Sequence, residues 1–263
     1  MSPADFHRLE RRLRMIGTLV TRTGLRIGSG GGGSLDGANL PVLRDRDGYP
    51  FLPGGSLKGS LRSTIEALLR GAGLPRSTGL WACDPHDETA CGWHASNGRT
   101  AAEDKIGQSC AACRLFGSHV LASHVRFTDA RVSDEQRQGG QVPIEIRDSV
   151  AIDRDLRTAV SGRKYDFEVV SPGTAFDVEV FVENPHDWSM GLLALGFEQL
   201  DAGFTALGGF GSRGLGRVEF RWTSIVECTA RDLLKGQPGI PQDPEERQRA
   251  WRDALARRGE ELT

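Results

Sequence analysis

Hydrophobic positions first fall into a regular pattern at residues 13–21, LRMIGTLVT, where apolar and β-branched residues predict a strand. Thr23-Gly24 and a long glycine run follow it. Beyond YPFLPGG, Leu57, Leu61, Ile65 and Leu68 recur at helical spacing and predict an amphipathic helix. Ser56 is the expected N-cap, with Pro53-Gly54-Gly55 breaking the chain before it. Residues 74–114 are polar, cysteine-bearing and without period, and read as an insertion. RLFGSHVLASHVRFTDARV returns to strand-like patterning, and residues 143–173 form a charged excursion of weak period. Phe176, Val178, Val180 and Val182 then alternate with polar residues and predict a half-buried strand. Leu193, Phe197 and Leu200 share one face of a second predicted helix. The glycine-rich LGGFGSRGLG leads into a last strand with Val218, Phe220 and Trp222 alternating. The C-terminal PQDPEERQRAWRDALARRGEEL predicts a helix carrying Trp251 and Leu255 on one face, either docked on a neighbouring subunit or solvated.

The order strand, glycine loop, helix, then strand, helix, glycine loop, strand predicts an α+β fold, with an antiparallel sheet and helices on one side. Strands and helices do not alternate regularly, which excludes a doubly wound parallel sheet. At 263 residues the chain suits one large domain or two small fused ones. No apolar run reaches membrane-spanning length. The charged N-terminus lacks the apolar core of a secretory signal, so the expected compartment is the cytoplasm. A net charge of −2 excludes a globally basic nucleic-acid binder. Any nucleic-acid surface has to be a local stripe, for which residues 1–26 and 147–164 carry an excess of arginine.

Of five cysteines, Cys83, Cys91, Cys110 and Cys113 cluster in the polar insertion as CDPHDETAC and CAAC. Two separated pairs match a tetrahedral thiolate zinc site, and ligation would fold a loop with little apolar content. Four protein ligands leave no open position, so such a zinc is structural. His86 or His94 can replace one sulfur in this scheme. A redox CxxC or unrelated thiols are the alternatives. Cys228 reads as an ordinary buried thiol.

Lys58 and Arg62 stand four apart and project from one side of the first helix, near an N-terminus whose dipole favours phosphate. Two solvated cations flanking the apolar stripe would give the same spacing. In GGFGSRGLG, Gly208, Gly209, Gly211, Gly214 and Gly216 surround Arg213 with little side-chain bulk, a composition able to wrap a sugar-phosphate chain. No Walker motif occurs. The GxGxxG spacing at Gly209, Gly211 and Gly214 precedes a strand rather than a helix, the wrong context for a dinucleotide. His119 and His124 flank a strand-like run and read either as structural residues or as a general base. No Ser/His/Asp or Cys/His arrangement stands out.

Taken together, several stretches resemble the RAMP superfamily, in particular the repeated backbone subunit of type III CRISPR effector complexes. They are TGLRIGSG (23–30), LPVLRD (40–45), FLPGGSLKGSLRS (51–63), CRLFGS (113–118), RDSVAIDRDLRTA (147–159), KYDFEVV (164–170) and GGFGSRGLGRVEF (208–220). They follow the family's order and span most of residues 13–222. The cysteines before RLFGS are similar to those of the III-D and III-E branches. The resemblance implies a modified ferredoxin-like RNA-recognition core over residues 1–240. Residues 74–114 would be a zinc-stapled finger insertion, 148–168 a thumb hairpin, and 241–263 a charged C-terminal helix or tail. Implied partners are a guide RNA, a complementary target RNA and other RAMP-type subunits.

Guide contacts implied by the resemblance fall on Ser56, Lys58 and Arg62, on Arg154, Arg157 and Arg163 of the thumb, and on Gly209, Gly211 and Arg213. In cutting members of the family, an Asp on the loop before the PV.RD motif serves metal-dependent cleavage of target RNA. That position here is Asn39. An amide is no base and binds a hard cation weakly. The expected function is therefore a guide-binding, cleavage-deficient subunit. The alternatives are a Mg²⁺- or Mn²⁺-dependent endoribonuclease using Asp36 on the same loop, and a zinc-stapled scaffold that binds no RNA. Asp45 and Asp47 in RDRDGYP read as turn residues.

Overall fold

A computed structural model describes residues 6–29, 40–88, 90–92, 106–140 and 142–260. Its centre is strand β1 (Arg11–Thr21), in which Leu13, Met15 and Leu19 point to one face and are buried, while Arg12 and Arg14 point to the other. β1 pairs antiparallel with β7 (Ala175–Glu183) on one side and β8 (Val218–Thr229) on the other. Strands β2 (Phe51–Leu52), β3 (Val125–Phe127), β4 (Ala130–Val132) and β9 (Ile240–Gln242) complete a seven-stranded sheet in the order β2-β4-β7-β1-β8-β9, with β3 also on β7. Helix α1 (Gly54–Ala72) follows β1 and helix α4 (Asp187–Asp201) follows β7. The chain order β1, α1, β3–β4, β7, α4, β8 with spatial order β4-β7-β1-β8 is the ferredoxin-like βαββαβ arrangement. The expected α+β class with an antiparallel sheet is what the chain adopts.

Leu57, Leu61 and Ile65 of α1 are fully buried, together with Met190, Leu193, Phe197 and Leu200 of α4. The two helices meet at Gly196, where a Cβ would stand 3.0 Å from Ile65 Cδ1. The α1 stripe continues through Leu69 and not through the expected Leu68, which is 40% exposed. A row of residues four apart drifts by about 40° per step around the helix, and that drift carries the buried face past Leu68.

The start of α1 also differs from expectation. Pro53 occupies the cap at φ −57°, and the Gly54 N–H donates to Asp129 Oδ1 at 2.9 Å. A carboxylate from the β3–β4 turn thus does the work assigned to Ser56, which lies exposed inside the first turn. Gly54 is required there because a Cβ would overlap the Phe127 and Thr128 carbonyls. RLF of CRLFGS is not a strand but the end of helix α2 (Ala111–Phe116), so strand structure resumes only at β3. Cys228 on β8 is half-buried rather than buried.

Two short helices, α3 (Asp134–Gln138) and α5 (Ala230–Leu234), precede the last helix, α6 (Pro244–Glu260). Helix α6 packs on α4 of its own chain. Trp251 is 1% exposed, and a Cβ on Gly191 would overlap the Trp251 backbone and Leu255. Strands β5 (Ile144–Asp153) and β6 (Thr158–Val170) form a separate hairpin over the expected thumb, with Asp148 opposite Asp166 and Val150 opposite Lys164. Among the described residues no helix is long and apolar enough to cross a membrane.

Candidate functional site

The four insertion cysteines converge. Their sulfurs all lie within 4.8 Å of one another and all four residues are buried. Cys83 Sγ stands 3.7 Å from Cys113 Sγ and 3.8 Å from Cys110 Sγ. A tetrahedron with metal–sulfur bonds of about 2.3 Å has edges of about 3.8 Å, so the donor set fits a thiolate-bound metal. Cys110 caps α2 by accepting from the Cys113 N–H, and its own N–H donates to Cys91 Sγ at 3.2 Å. Held this close, the thiols share protons unevenly. Hydrogen bonds with Cys113 and Cys91 pull the Cys110 pKa down, and the bond with Cys110 pushes that of Cys91 up. His86 lies on the surface, and the cluster is complete without it. His94 lies outside the described residues.

Next to the cluster, in the first half of α1, stand the two predicted cations, Lys58 and Arg62. Lys58 Nζ donates to Ser123 Oγ at 2.8 Å, and burial together with the Arg62 charge lowers its pKa. Arg62 donates from Nε to Glu66 Oε1 at 2.7 Å, from Nη1 to the Gly117 carbonyl at 3.0 Å and from Nη2 to Cys113 Sγ at 3.6 Å. Burial alone would lower the Arg62 pKa, but the Glu66 bond and charge, together with the charges of Cys113 and Cys110, outweigh it and raise it. A cleft of about 530 Å³ opens here, lined among others by Arg62, Cys113, Ser118, His119 and Ser123.

A second cluster forms where the glycine loop meets the hairpin base. Phe210, at φ 64°, carries the Arg26 guanidinium at 5.0 Å and the Arg213 guanidinium at 4.7 Å from its ring centroid. Arg213 Nη1 also donates to Tyr165 Oη at 2.7 Å, and Phe167 meets Phe210 edge-on at 4.8 Å. The loop reaches this position through its glycines. The Gly209 N–H donates to the Arg26 carbonyl at 2.8 Å, and a Cβ at Gly208 would overlap that same carbonyl. Gly216, at φ 81°, is pressed against the Leu207 carbonyl. Part of the glycine content thus serves approach to the chain's own backbone.

Loop 30–39, with Asp36 and Asn39, lies outside the described residues, but both its roots are defined. The Ser29 N–H donates to the Pro41 carbonyl at 3.3 Å, and Gly28 bridges Val42. Leu40 bridges Phe167 of the hairpin base. Glu168 Oε2 accepts from the Val42 N–H at 2.9 Å and from Arg44 Nη1 at 2.8 Å, pinning the segment after the loop to β6. Asp45 is a turn residue as expected, bonded to the N–H groups of Asp47 and Tyr49 and paired with Arg137.

Comparison with protein families matches residues 18–219, well over half of the chain, to the RAMP superfamily. The chain belongs to that superfamily. Its relatives include a protein named CRISPR system Cms endoribonuclease Csm3 from Methanocaldococcus jannaschii, 27% identical over 247 residues that cover 90% of each chain. Proteins of the same name from Methanothermobacter thermautotrophicus and Mycobacterium tuberculosis are 25% and 26% identical, over 88% and 80% of this chain and 92% and 86% of theirs.

Within this RAMP core, the residues singled out in the sequence fall into three groups. Lys58 and Arg62 adjoin the cysteine cluster, with Ser56 exposed one turn earlier on α1. Gly209, Gly211 and Arg213 adjoin the hairpin base. Arg154 and Arg157 form the exposed tip of the hairpin, with Arg163 exposed on β6. Sequence reasoning missed Arg26, Phe210 and Tyr165. Phe210 is the one aromatic residue in the glycine run, and that contrast was the available signal.

Proposed function

We propose that this RAMP protein is a guide-RNA-binding backbone subunit of a type III CRISPR ribonucleoprotein, acting in the cytoplasm and presenting the guide to a complementary target RNA in antiviral defence. The observation that carries the reading is the Arg26–Phe210–Arg213 stack against Tyr165, built where the glycine loop, the hairpin base and the roots of loop 30–39 meet. Guanidinium groups bind phosphates or stack on bases, and an aromatic beside them favours a single strand. Lys58 and Arg62 add cationic contacts on α1, with Ser56 beside them. Arg154, Arg157 and Arg163 add contacts along the hairpin. Phosphate contacts hold and orient the guide, while base pairing supplies sequence specificity. Other RAMP-type subunits are the protein partners. The four cysteines hold a structural zinc, and this insertion is the feature that favours the III-D or III-E branch. Binding of single-stranded RNA by the purified chain tests the reading: affinity should fall steeply between about 50 and 200 mM salt. Absence of binding at low salt would leave the non-RNA scaffold.

Cleavage is the second question. Asn39 at the place of the family's Asp favours a subunit that holds the target without cutting it. The relatives named endoribonuclease favour the other reading, in which Asp36 recruits Mg²⁺ or Mn²⁺ and the chain cuts guide-paired target. Incubating the guide-loaded assembly with labelled target and Mn²⁺ separates them. Intact target supports the first reading, and cleavage that disappears in Asp36→Ala supports the second.

A further inference from the structure

Helix α1 meets the cysteine cluster through a line of charges spaced four apart. Glu66, only 7% exposed, accepts from Arg62 Nε at 2.7 Å and lies 3.9 Å from Arg70 Nη1. The two arginines reach different parts of the cluster. Arg62 contacts Cys113 Sγ at 3.6 Å and the Gly117 carbonyl at 3.0 Å, while Arg70 Nη1 donates to the Cys83 carbonyl at 2.9 Å. Residues i, i+4 and i+8 share one helix face, so a single face of α1 grips both the segment carrying Cys83 and the segment carrying Cys113.

Charge explains why an arginine should stand there. Four thiolates around a divalent cation leave a net charge of −2 in a buried site, and such charge is stable only when paired and hydrogen-bonded. Backbone N–H groups supply part of that to Cys91 and Cys110. The Arg62 guanidinium supplies the cationic donor at Cys113.

We infer that Arg62, Glu66 and Arg70 form the outer shell of the metal centre. Arg62 is then first a positioning residue for the metal, with Glu66 orienting it and Arg70 fixing the Cys83 segment. The guanidinium has five N–H groups and three are engaged, so two remain for a phosphate. Metal binding and the position of this RNA-facing cation are therefore mechanically joined. The inference rests on the metal reading of the four cysteines proposed above.

The test is the rate at which the purified full-length chain gives up zinc to an excess of a coloured chelator. Wild type should hold one zinc per chain. Arg62→Ala should release it about 10- to 100-fold faster, the range by which outer-shell partners alter metal sites. Arg62→Lys, which keeps the charge but loses the fork, should fall between the two. Arg252→Ala, which breaks an α6 surface pair with Glu198, should match wild type. Should Arg62→Ala fail to fold, Glu66→Gln should accelerate release in the same direction. Equal rates for wild type, Arg62→Ala and Glu66→Gln would overturn the inference and leave the metal site standing. A wild-type chain that takes up no zinc would overturn the metal reading itself.

Discussion

Phe210 is held in the left-handed region, a conformation uncommon for a bulky residue, and its ring is covered by the guanidinium groups of Arg213 from its own loop and Arg26 from a distant segment. If that stack receives RNA, Arg213→Ala should weaken single-stranded RNA binding by about 1–3 kcal/mol, as judged by filter binding, with thermal stability little changed. Lys58→Ala should lower affinity evenly across sequences and reduce the salt slope by about one. Glu168 gives a pH prediction. Burial alone would raise its pKa, but Arg44 and the Val42 N–H outweigh burial and hold it below its ordinary 4.5. Its stabilising effect is then complete above pH 4.5 and lost as pH falls through the lower folded value. Glu168→Gln should remove that part of the acid sensitivity in pH-dependent thermal melts and cost about 1–3 kcal/mol at neutral pH. At this scale the four cysteines were legible because their local spacing announces them, whereas the spacing of Lys58 and Arg62 fitted solvated cations equally well. Arg26 was not, because its partner Phe210 is far away in sequence. The Ser56 cap failed for a related reason: the competing carboxylate of Asp129 is brought in by tertiary structure.

Among the elements, α4 is the most constrained. Gly196 lets α1 approach on one side, and Gly191 admits the α6 backbone on another. Gly191→Val should displace α6 and lower the melting temperature by several degrees, while Trp251→Ala should cost about 3–5 kcal/mol. A melt unchanged by both would show that α6 is not part of the folded body. Strand β7 was legible because it buries Phe176, Val178, Val180 and Val182 on one face and so alternates, and β1 because its run is rich in apolar and β-branched residues. The β5–β6 hairpin showed only weak period because apolar residues also stand on its exposed face, with Ile146 and Ile152 63% and 66% exposed. Burial at its base, through Phe167 and Val169, extends the paired region to Ile144 and Val170. Helix α6 was legible as a helix, but its seat on α4 depends on a glycine that the helical period does not reveal.

For the whole molecule, the ferredoxin-like core carries two cationic clusters, one beside the cysteines and one where the hairpin base meets the roots of loop 30–39. The near-zero net charge matters here, since the proposed RNA binding then has to rest on those clusters rather than on the surface at large. On the proposed metal reading of the four cysteines, stripping zinc should loosen Lys58 and Arg62 of α1 and weaken RNA binding without unfolding the sheet. The central claim is that the chain carries a guide. The most direct measurement is to purify the native assembly through this subunit, extract its nucleic acid and determine its length. The account predicts RNA of discrete length, whose retention at moderate salt is lost in the Lys58→Ala, Arg213→Ala double variant. Nucleic-acid-free protein at low salt, or heterogeneous RNA retained equally by the double variant, would contradict it.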